Sequence, residues 1–278
     1  RRALCGDRGE LCTIVNGRSG RCSEDCRFCA QSCHYHTGAE EYPFLPVQEI
    51  VEEGKRNEAA GVHRYSIVTA GRGLHGRELD HALEAYRRLG AETGLALCAS
   101  HGLQSVEEFQ AMREAGVTRY HANLETSRRN FPNICTTHTY EDKLENIRRA
   151  KSAGLEVCSG GILGMGETWE DRIDMALDLS ELGAVSIPLN LLTPIPGTPL
   201  EEAEPLTEGE VFRSVAIFRL LNPTAWIRMA AGRRRFADGG KMLFRCGANA
   251  AITGDMLTTT GTGIAEDRTM FAQLGYEI

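Results

Sequence analysis

Three cysteines in one short segment are the residues of this sequence best suited to metal chemistry. The segment reads Cys22-Ser-Glu-Asp-Cys26-Arg-Phe-Cys29, so the cysteine spacing is C-x3-C-x2-C. Three thiolates on one loop can ligate three irons of a cubane and leave the fourth iron without a protein ligand. The spacing therefore predicts a [4Fe–4S] site in which one iron stays open.

Zinc is the alternative occupant of this segment. A structural zinc ion normally takes four protein ligands and prefers paired C-x2-4-C spacings. Cys33 and His34 follow the three cysteines closely enough to supply a fourth ligand. The histidines of the chain show no zinc spacing as a group, so we favour iron.

Composition limits the class of protein. The chain has 278 residues, ten cysteines and a formal net charge of −7. Secreted disulfide scaffolds are usually short, so this many cysteines in a long chain favour metal or redox use in a reducing cytoplasm. The negative charge argues against a nucleic-acid partner. The sequence has no apolar run of membrane-spanning length and no signal-like start, and we expect a cytoplasmic protein that lacks some upstream residues.

Short apolar runs alternate with amphipathic helical segments along the whole chain. Such alternation favours a parallel sheet, and eight units of this kind predict a single-domain (β/α)8 barrel over residues 1–278. A doubly wound open sheet is the alternative, because no sequence pattern shows ring closure. The predicted strands are Leu11–Val15, Tyr65–Ala70, Leu95–Ser100, Thr118–Asn123, Leu155–Gly160, Ala184–Asn190, Trp226–Ala230 and Ala248–Thr253.

The cysteine loop, residues 16–38, follows the first predicted strand. In a barrel of this type the chemistry lies at the carboxyl ends of the strands, which agrees with the place of this loop. Between two later strands, Ile173, Ala176, Leu177 and Leu179 predict one apolar face of an amphipathic helix.

The cysteine loop resembles the radical SAM superfamily motif, with the aromatic Phe28 just before the last cysteine. Over nearly the whole chain the sequence resembles the biotin synthase family. The segments that resemble it are Cys22–Ser32, Tyr35–Gly38, Asn123–Ser127, Thr136–Tyr140, Val157–Ile162, Gly164–Thr168, Pro188–Asn190, Gly197–Leu200, Ile227–Arg233 and Gly247–Asn249.

The resemblance implies both an activity and its cofactors. In this family the open iron chelates S-adenosylmethionine, and an electron from the cluster breaks a C–S bond to release a 5′-deoxyadenosyl radical. The radical removes hydrogen from dethiobiotin, and sulfur enters between C6 and C9. An auxiliary iron–sulfur cluster inside the barrel donates that sulfur. The resemblance also implies an electron donor such as flavodoxin or ferredoxin, and a homodimer.

The resemblance also implies the small-molecule contacts. Two departures lie nearby, since His121 replaces a usual asparagine and Glu125 a usual aspartate. From the residues alone, Asn123 could instead be a helix cap, and Thr258 and Thr259 part of a polar turn. The implied S-adenosylmethionine contacts are Phe28, Thr69, Ala70, Asn123, Glu125 and Ile162; the implied substrate contacts are Asn123, Asn190, Thr258 and Thr259.

The auxiliary cluster site departs from the family. Its usual ligands, three cysteines and one arginine, correspond to Ser66, Cys98, Cys158 and Arg228. A serine hydroxyl is a poor ligand for a soft iron–sulfur site, so we expect another cysteine to substitute. The candidates are Cys5, Cys12, Cys33, Cys135 and Cys246.

Strand order favours Cys12 among these candidates. Layers inside such a barrel take side chains from alternate strands, and Cys12 would complete the set of Cys98, Cys158 and Arg228. We therefore expect an auxiliary cluster other than the usual [2Fe–2S], of a four-iron type. Cys246 ranks second, and the alternative for Cys12 is a small buried apolar residue. Arg228 could ligate iron or donate hydrogen bonds to the cluster sulfides.

Two other functions remain open at this stage. One is a related radical SAM barrel, of the hydrogenase-maturation or methylornithine-forming type, although such an enzyme would not need the interior cysteines. The other is a non-catalytic protein stabilised by a metal.

Overall fold

Parallel strands alternate with helices throughout the computed structural model, which describes residues 2–257, 259 and 261–278. The strands are β1 Glu10–Arg18, β2 Arg64–Thr69, β3 Ala96–Ser100, β4 Val117–His121, β5 Glu156–Cys158, β6 Gly161–Leu163, β7 Ser186–Leu191, β8 Trp226–Met229 and β9 Ala250–Ile252. The helices are α1 Arg2–Cys5, α2 Val47–Ala59, α3 Gly76–Glu92, α4 Val106–Glu114, α5 Tyr140–Ser152, α6 Trp169–Glu181, α7 Glu208–Leu221, α8 Lys241–Arg245 and α9 Ile264–Gln273. Short 3-10 helices lie at Phe131–Asn133 and Arg233–Arg235.

The sheet closes into a ring. Its strand order is β5-β4-β3-β2-β1-β9-β8-β7-β6, and a further parallel pairing of β5 with β7 joins the two ends. β5 and β6 are two pieces of one barrel strand, so the ring is an eight-stranded parallel barrel. This confirms the predicted (β/α)8 barrel and excludes the open sheet.

Two consecutive glycines, Gly160 and Gly161, lie where β5 gives way to β6. A Cβ atom on Gly160 would lie 1.9 Å from the carbonyl oxygen of Pro188, and one on Gly161 would lie 2.5 Å from that of Glu125. Only residues without a side chain allow the backbone to approach this closely. The approach also fixes the end of β4, since the Gly160 N–H donates to Asn123 Oδ1 at 3.0 Å.

Alternation along each strand decides which side chains enter the barrel. Tyr65, Ile67, Leu97 and Ala99 face outward and pack in the core beneath the helices. Ser66 lies between Tyr65 and Ile67, and Cys98 lies between Leu97 and Ala99, so both point into the barrel.

Strand bounds agree with the predicted ones to within two residues, except at the end of β1. β1 continues past Val15 to Arg18, because its ladder with β2 runs on to the pairing of Arg18 with Thr69 across a bulge. The cysteine loop therefore starts later than residue 16.

The predicted apolar face of α6 was partly wrong. Ala176 and Leu179 are buried, but Ile173 and Leu177 are 38% and 43% exposed. The helix buries Met175 on its inner side in their place. Among the residues that the structure describes, no helix combines the length and apolar character needed to cross a membrane.

Candidate active site in the barrel

A cavity of about 330 Å³ occupies the barrel interior. It extends from the cysteine loop, where Cys29 lines it, to Arg64 and Arg119 near the starts of β2 and β4. Most of the predicted site residues share this cavity; Thr258 lies outside the described residues. The predicted residues that line it are Cys12, Phe28, Cys29, Cys98, Asn123, Glu125, Cys158, Ile162, Asn190, Arg228 and Thr259.

The cysteine loop folds back on itself. The Cys22 N–H donates to the carbonyl of Gln31 at 2.9 Å, the Cys33 N–H donates to that of Cys22 at 2.8 Å, and the Cys29 N–H donates to that of Cys26 at 3.0 Å. These bonds hold the three predicted cluster ligands on one compact turn beside the cavity.

Burial opposes ionisation of two loop thiols. It raises the pKa of Cys29 to about 11, and it raises the pKa of Cys22 although the N–H groups of Glu24 and Gly71 favour the thiolate. Metal binding at these sulfurs must therefore displace protons at neutral pH.

The end of β2 lies beside the cysteine loop rather than in the cavity lining. Thr69 Oγ1 contacts His101 Nδ1 at 3.0 Å, and the carbonyl of Ala70 accepts a hydrogen bond from Arg18 Nε at 3.0 Å. The Gly71 N–H reaches the sulfur of Cys22. The structure thus places the Thr69-Ala70 segment next to the predicted cluster, with neither residue lining the barrel cavity.

Glu125 is the most unusual residue at the loop end of the cavity. Its backbone φ is +70°, a left-handed conformation that a side chain disfavours. Burial raises the pKa of its carboxyl, and Oε2 is buried without a hydrogen-bond partner. An unpaired buried acceptor that lines a cavity is suited to a ligand with hydroxyl donors.

Three arginines surround one carboxylate at the other end. Glu10 Oε1 forms an ion pair with Arg228 and accepts from Arg119 Nη1 at 3.3 Å, and Oε2 lies 3.7 Å from Arg64 Nε. Burial alone would raise the pKa of Glu10, but the charges of Arg228, Arg119 and Arg64 outweigh it and lower the pKa to about 2.

The sequence analysis missed Glu10, Arg64 and Arg119. Arg64 is two residues before Ser66, and Arg119 is four residues before Asn123. Each arginine therefore points to the same, inward side of its strand as that residue. The signal that could have found both arginines is the alternation along each strand, since every second residue before Ser66 or Asn123 also points inward.

Positive or polar groups face each interior thiol. Arg64 Nη1 donates to Cys98 Sγ at 3.5 Å, and Cys158 Sγ lies 3.4 Å from His121 Nδ1. Burial raises the pKa of Cys12 to about 12, partly offset by Arg228. Burial also raises the pKa of Cys98, although the charge of Arg64 favours its thiolate.

Of the five candidate substitutes for the missing cysteine ligand, Cys12 lines the cavity, as Ser66 does. Cys5 donates to the carbonyl of Pro223 at 3.2 Å, and Cys33 is exposed. Cys135 lies beside Cys26, and Cys246 packs against the core; neither lines the cavity.

Comparisons with known proteins agree with this geometry. The pattern of the radical SAM superfamily matches residues 18–179, and the pattern described as the Biotin and Thiamin Synthesis associated domain matches residues 188–277. The chain is 58% identical over 278 residues to the biotin synthases of Clostridium beijerinckii and Alkaliphilus metalliredigens, covering 100% of this chain and 88% and 87% of those relatives. The chain belongs to the biotin synthase family.

Solved structures support the fold of this family member. Methylornithine synthase is similar at a TM-score of 0.85 and 20% identity, covering 99% of this chain and 85% of that one. The [FeFe]-hydrogenase maturase HydG is similar at a TM-score of 0.82 and 17% identity, covering 99% and 65% of the two chains. At these identities the likeness establishes the barrel fold alone, and nothing about the chemistry follows from it.

Replacing Glu10 tests the ion-pair network. Glu10→Gln leaves three buried arginines without their shared carboxylate, and we expect its free energy of unfolding at pH 7 to fall by about 3 kcal/mol. A pKa of about 2 against 4.5 in the unfolded chain corresponds to a stabilisation of that order. Because the folded-state pKa is the lower one, this stabilisation is present above pH 4.5 and is lost as the pH falls towards 2.

Chemical denaturation between pH 7 and pH 3 measures this effect. The difference between the wild type and Glu10→Gln should shrink below about pH 4.5. The exposed Glu202→Gln is the matched control and should differ little from the wild type at any pH. A difference for Glu10→Gln that is independent of pH contradicts the assignment.

Proposed function

We propose that this member of the biotin synthase family forms biotin by inserting sulfur into dethiobiotin, with Cys22, Cys26 and Cys29 holding the [4Fe–4S] cluster that cleaves S-adenosylmethionine. The supporting observation is one cavity that joins Cys29 at the loop end to Cys98 and Cys158 in the barrel interior. A barrel that only generated a radical would not need thiols opposite the radical source.

The residues at the loop end fit the first cluster and its cofactor. When bound, the cluster and S-adenosylmethionine supply a radical able to remove hydrogen from an unactivated C–H bond. Glu125 Oε2 is an unpaired acceptor, as ribose hydroxyls require, and Asn123 lines the same region. Phe28 and Ile162 provide apolar walls.

Substrate orientation is the task of residues between the two ends. The Asn190 amide donates to the carbonyl of Gly161 at 3.3 Å and accepts from the N–H of Ala231 at 3.2 Å. These bonds fix the amide and leave one N–H and one lone pair, which match the donor and acceptor groups of a ureido ring. Thr259 lines the same cavity as Asn190, and Thr258 stays a prediction.

We further propose that Cys12, Cys98 and Cys158 hold the auxiliary cluster. The three thiols line one cavity with Arg64, and Arg64 Nε is buried without a hydrogen-bond partner. The three arginines share Glu10, and Arg119 also pairs with Glu156, so one positive charge remains in excess, which thiolates and sulfides would balance. Three thiolates suit a four-iron cluster with one open iron better than the usual [2Fe–2S] site, whose fourth position is Ser66 here.

Arg228 acts through hydrogen bonds in this proposal. It forms an ion pair with Glu10 and donates to Ser186 Oγ at 3.3 Å and to the carbonyl of Ala251 at 3.0 Å. Burial alone would lower the pKa of Arg228, but the charge of the Glu10 carboxylate raises it. A protonated guanidinium has no lone pair for iron, so Arg228 neutralises charge and positions its neighbours.

Other parts of the proposal rest on family resemblance. These are an electron donor such as flavodoxin or ferredoxin, a homodimer, a cytoplasmic location, and cluster binding by the loop that ends at residue 38.

Product analysis tests the function. The anaerobically reconstituted enzyme, given S-adenosylmethionine, dethiobiotin and a low-potential reductant, should release biotin and 5′-deoxyadenosine, measured by mass spectrometry. Cys98→Ala should keep 5′-deoxyadenosine release and lose biotin, because Cys98 is one of the three proposed ligands of the auxiliary cluster. Cys246→Ala is the control and should retain both products. Release of 5′-deoxyadenosine without biotin by the wild type would identify a related radical enzyme instead.

Iron and sulfide counts test the role of Cys12. Cys12→Ala should lose the iron and sulfide of the auxiliary cluster and keep those of the loop cluster, while Cys246→Ala keeps both. Adding Ser66→Cys to Cys12→Ala should restore auxiliary iron, because Ser66 lines the same cavity and occupies the family's usual cysteine position. Unchanged auxiliary iron in Cys12→Ala contradicts the assignment.

A further inference from the structure

A second cluster of metal-binding side chains lies against the cysteine loop. Cys26 Sγ, Cys135 Sγ and a ring nitrogen of His138 all lie within 4.8 Å of one another. Cys135 Sγ is 3.7 Å from Cys26 Sγ and 3.2 Å from His138 Nδ1. Across the part of the chain that the structure describes, no other set of three His, Cys, Asp or Glu ligand atoms meets this spacing.

The spacing of these atoms matches one tetrahedral ion. Bonds of about 2.3 Å to sulfur and about 2.0–2.1 Å to nitrogen place neighbouring ligand atoms roughly 3.4–3.8 Å apart in a tetrahedron. The separations of Cys135 Sγ from Cys26 Sγ, 3.7 Å, and from His138 Nδ1, 3.2 Å, lie within a few tenths of an ångström of that range. A cubane, by contrast, uses one thiolate for each iron, so it does not account for Cys135 and His138 beside Cys26.

The two chain segments that supply these atoms are firmly joined. The Arg27 N–H donates to the carbonyl of Ile134 at 3.0 Å, and the Thr136 N–H donates to Asp25 Oδ1 at 2.8 Å. Cys135 is 4% exposed and His138 8% exposed. The site is therefore held in place by contacts other than those of an ion.

Two carboxylates, those of Glu24 and Asp25, lie next to the proposed ligand atoms. Glu24 Oε2 lies 2.6 Å from His138 Nδ1, and Cys135 Sγ lies 3.2 Å from Asp25 Oδ1. An ion bound to Nδ1 would replace the hydrogen bond to Glu24, and the two nearby carboxylates would offset its positive charge. Mixed thiolate and imidazole ligands suit an ion of the zinc class.

We propose that the cluster-free enzyme binds one divalent ion of the zinc class through Cys26, Cys135 and His138, with solvent in the fourth position. Binding releases one proton from each cysteine thiol that is not already a thiolate. Cys26 is also a ligand of the [4Fe–4S] cluster, so the ion and the cluster exclude each other. That exclusion rests on the proposed function, whereas the ion site itself does not.

Cobalt titration tests the ion site. Cluster-free full-length enzyme, kept anaerobic with a phosphine reductant so that no disulfide forms, should bind one equivalent of Co²⁺ with the intense visible bands of a tetrahedral thiolate complex, and Zn²⁺ should abolish them. Cys135→Ser and His138→Gln should each weaken binding at least about tenfold, since each loses a ligand. The matched control Cys246→Ser should bind as the wild type does, and far-UV circular dichroism checks that each variant is folded.

Weak, octahedral-type cobalt spectra in the wild type, or equal affinity in Cys135→Ser, would overturn the ion site.

A second measurement tests whether the ion and the [4Fe–4S] cluster exclude each other. One equivalent of Zn²⁺ should reduce [4Fe–4S] reconstitution, followed by absorbance, in the wild type and much less in Cys135→Ser. Equal inhibition of both proteins contradicts the exclusion. An enzyme that binds Co²⁺ as described but makes no biotin when reconstituted would contradict the proposed function and leave the ion site standing.

Discussion

The carboxylate of Glu10, shared by Arg228 and Arg119 and close to Arg64, is the interaction on which the barrel interior depends. It joins residues of β1, β2, β4 and β8 across the space that apolar layers fill in many barrels. Buried charges are tolerated only when paired, and here the three arginines outnumber Glu10 and Glu156, the second carboxylate that pairs with Arg119. The excess positive charge suits an interior that holds an anionic sulfur-rich group.

The geometry of the cavity follows from backbone constraints at its other end. The close contact of Gly160 with Pro188 splits one barrel strand and fixes Asn123, while Glu125 adopts a left-handed backbone with an unpaired oxygen. The cysteine loop, proposed to carry the radical source, and the proposed sulfur ligands in the interior thereby face one cavity. The substrate can meet both without leaving it.

The barrel could be predicted from the sequence because it depends on local periodicity. The family resemblance indicated Cys98 and Arg228 as site residues, the order of alternate strands added Cys12, and all three line the cavity. Contacts between distant segments could not be predicted in this way. Glu10 meets Arg228 from 218 residues away, and Cys135 meets Cys26 from 109 residues away, and no local pattern encodes either pairing. For Ile173 and Leu177 of α6, apolar spacing indicated the helix but not which side faces the core.

The central claim is that Cys12 replaces the missing cysteine ligand at the auxiliary cluster. An anomalous difference map at the iron absorption edge, from crystals grown anaerobically with reconstituted enzyme, tests it most directly. The account predicts two iron peaks, one at Cys22, Cys26 and Cys29 and one inside the barrel within bonding distance of the sulfurs of Cys12, Cys98 and Cys158. An interior iron peak bonded to Cys98 and Cys158 but remote from Cys12 would contradict it.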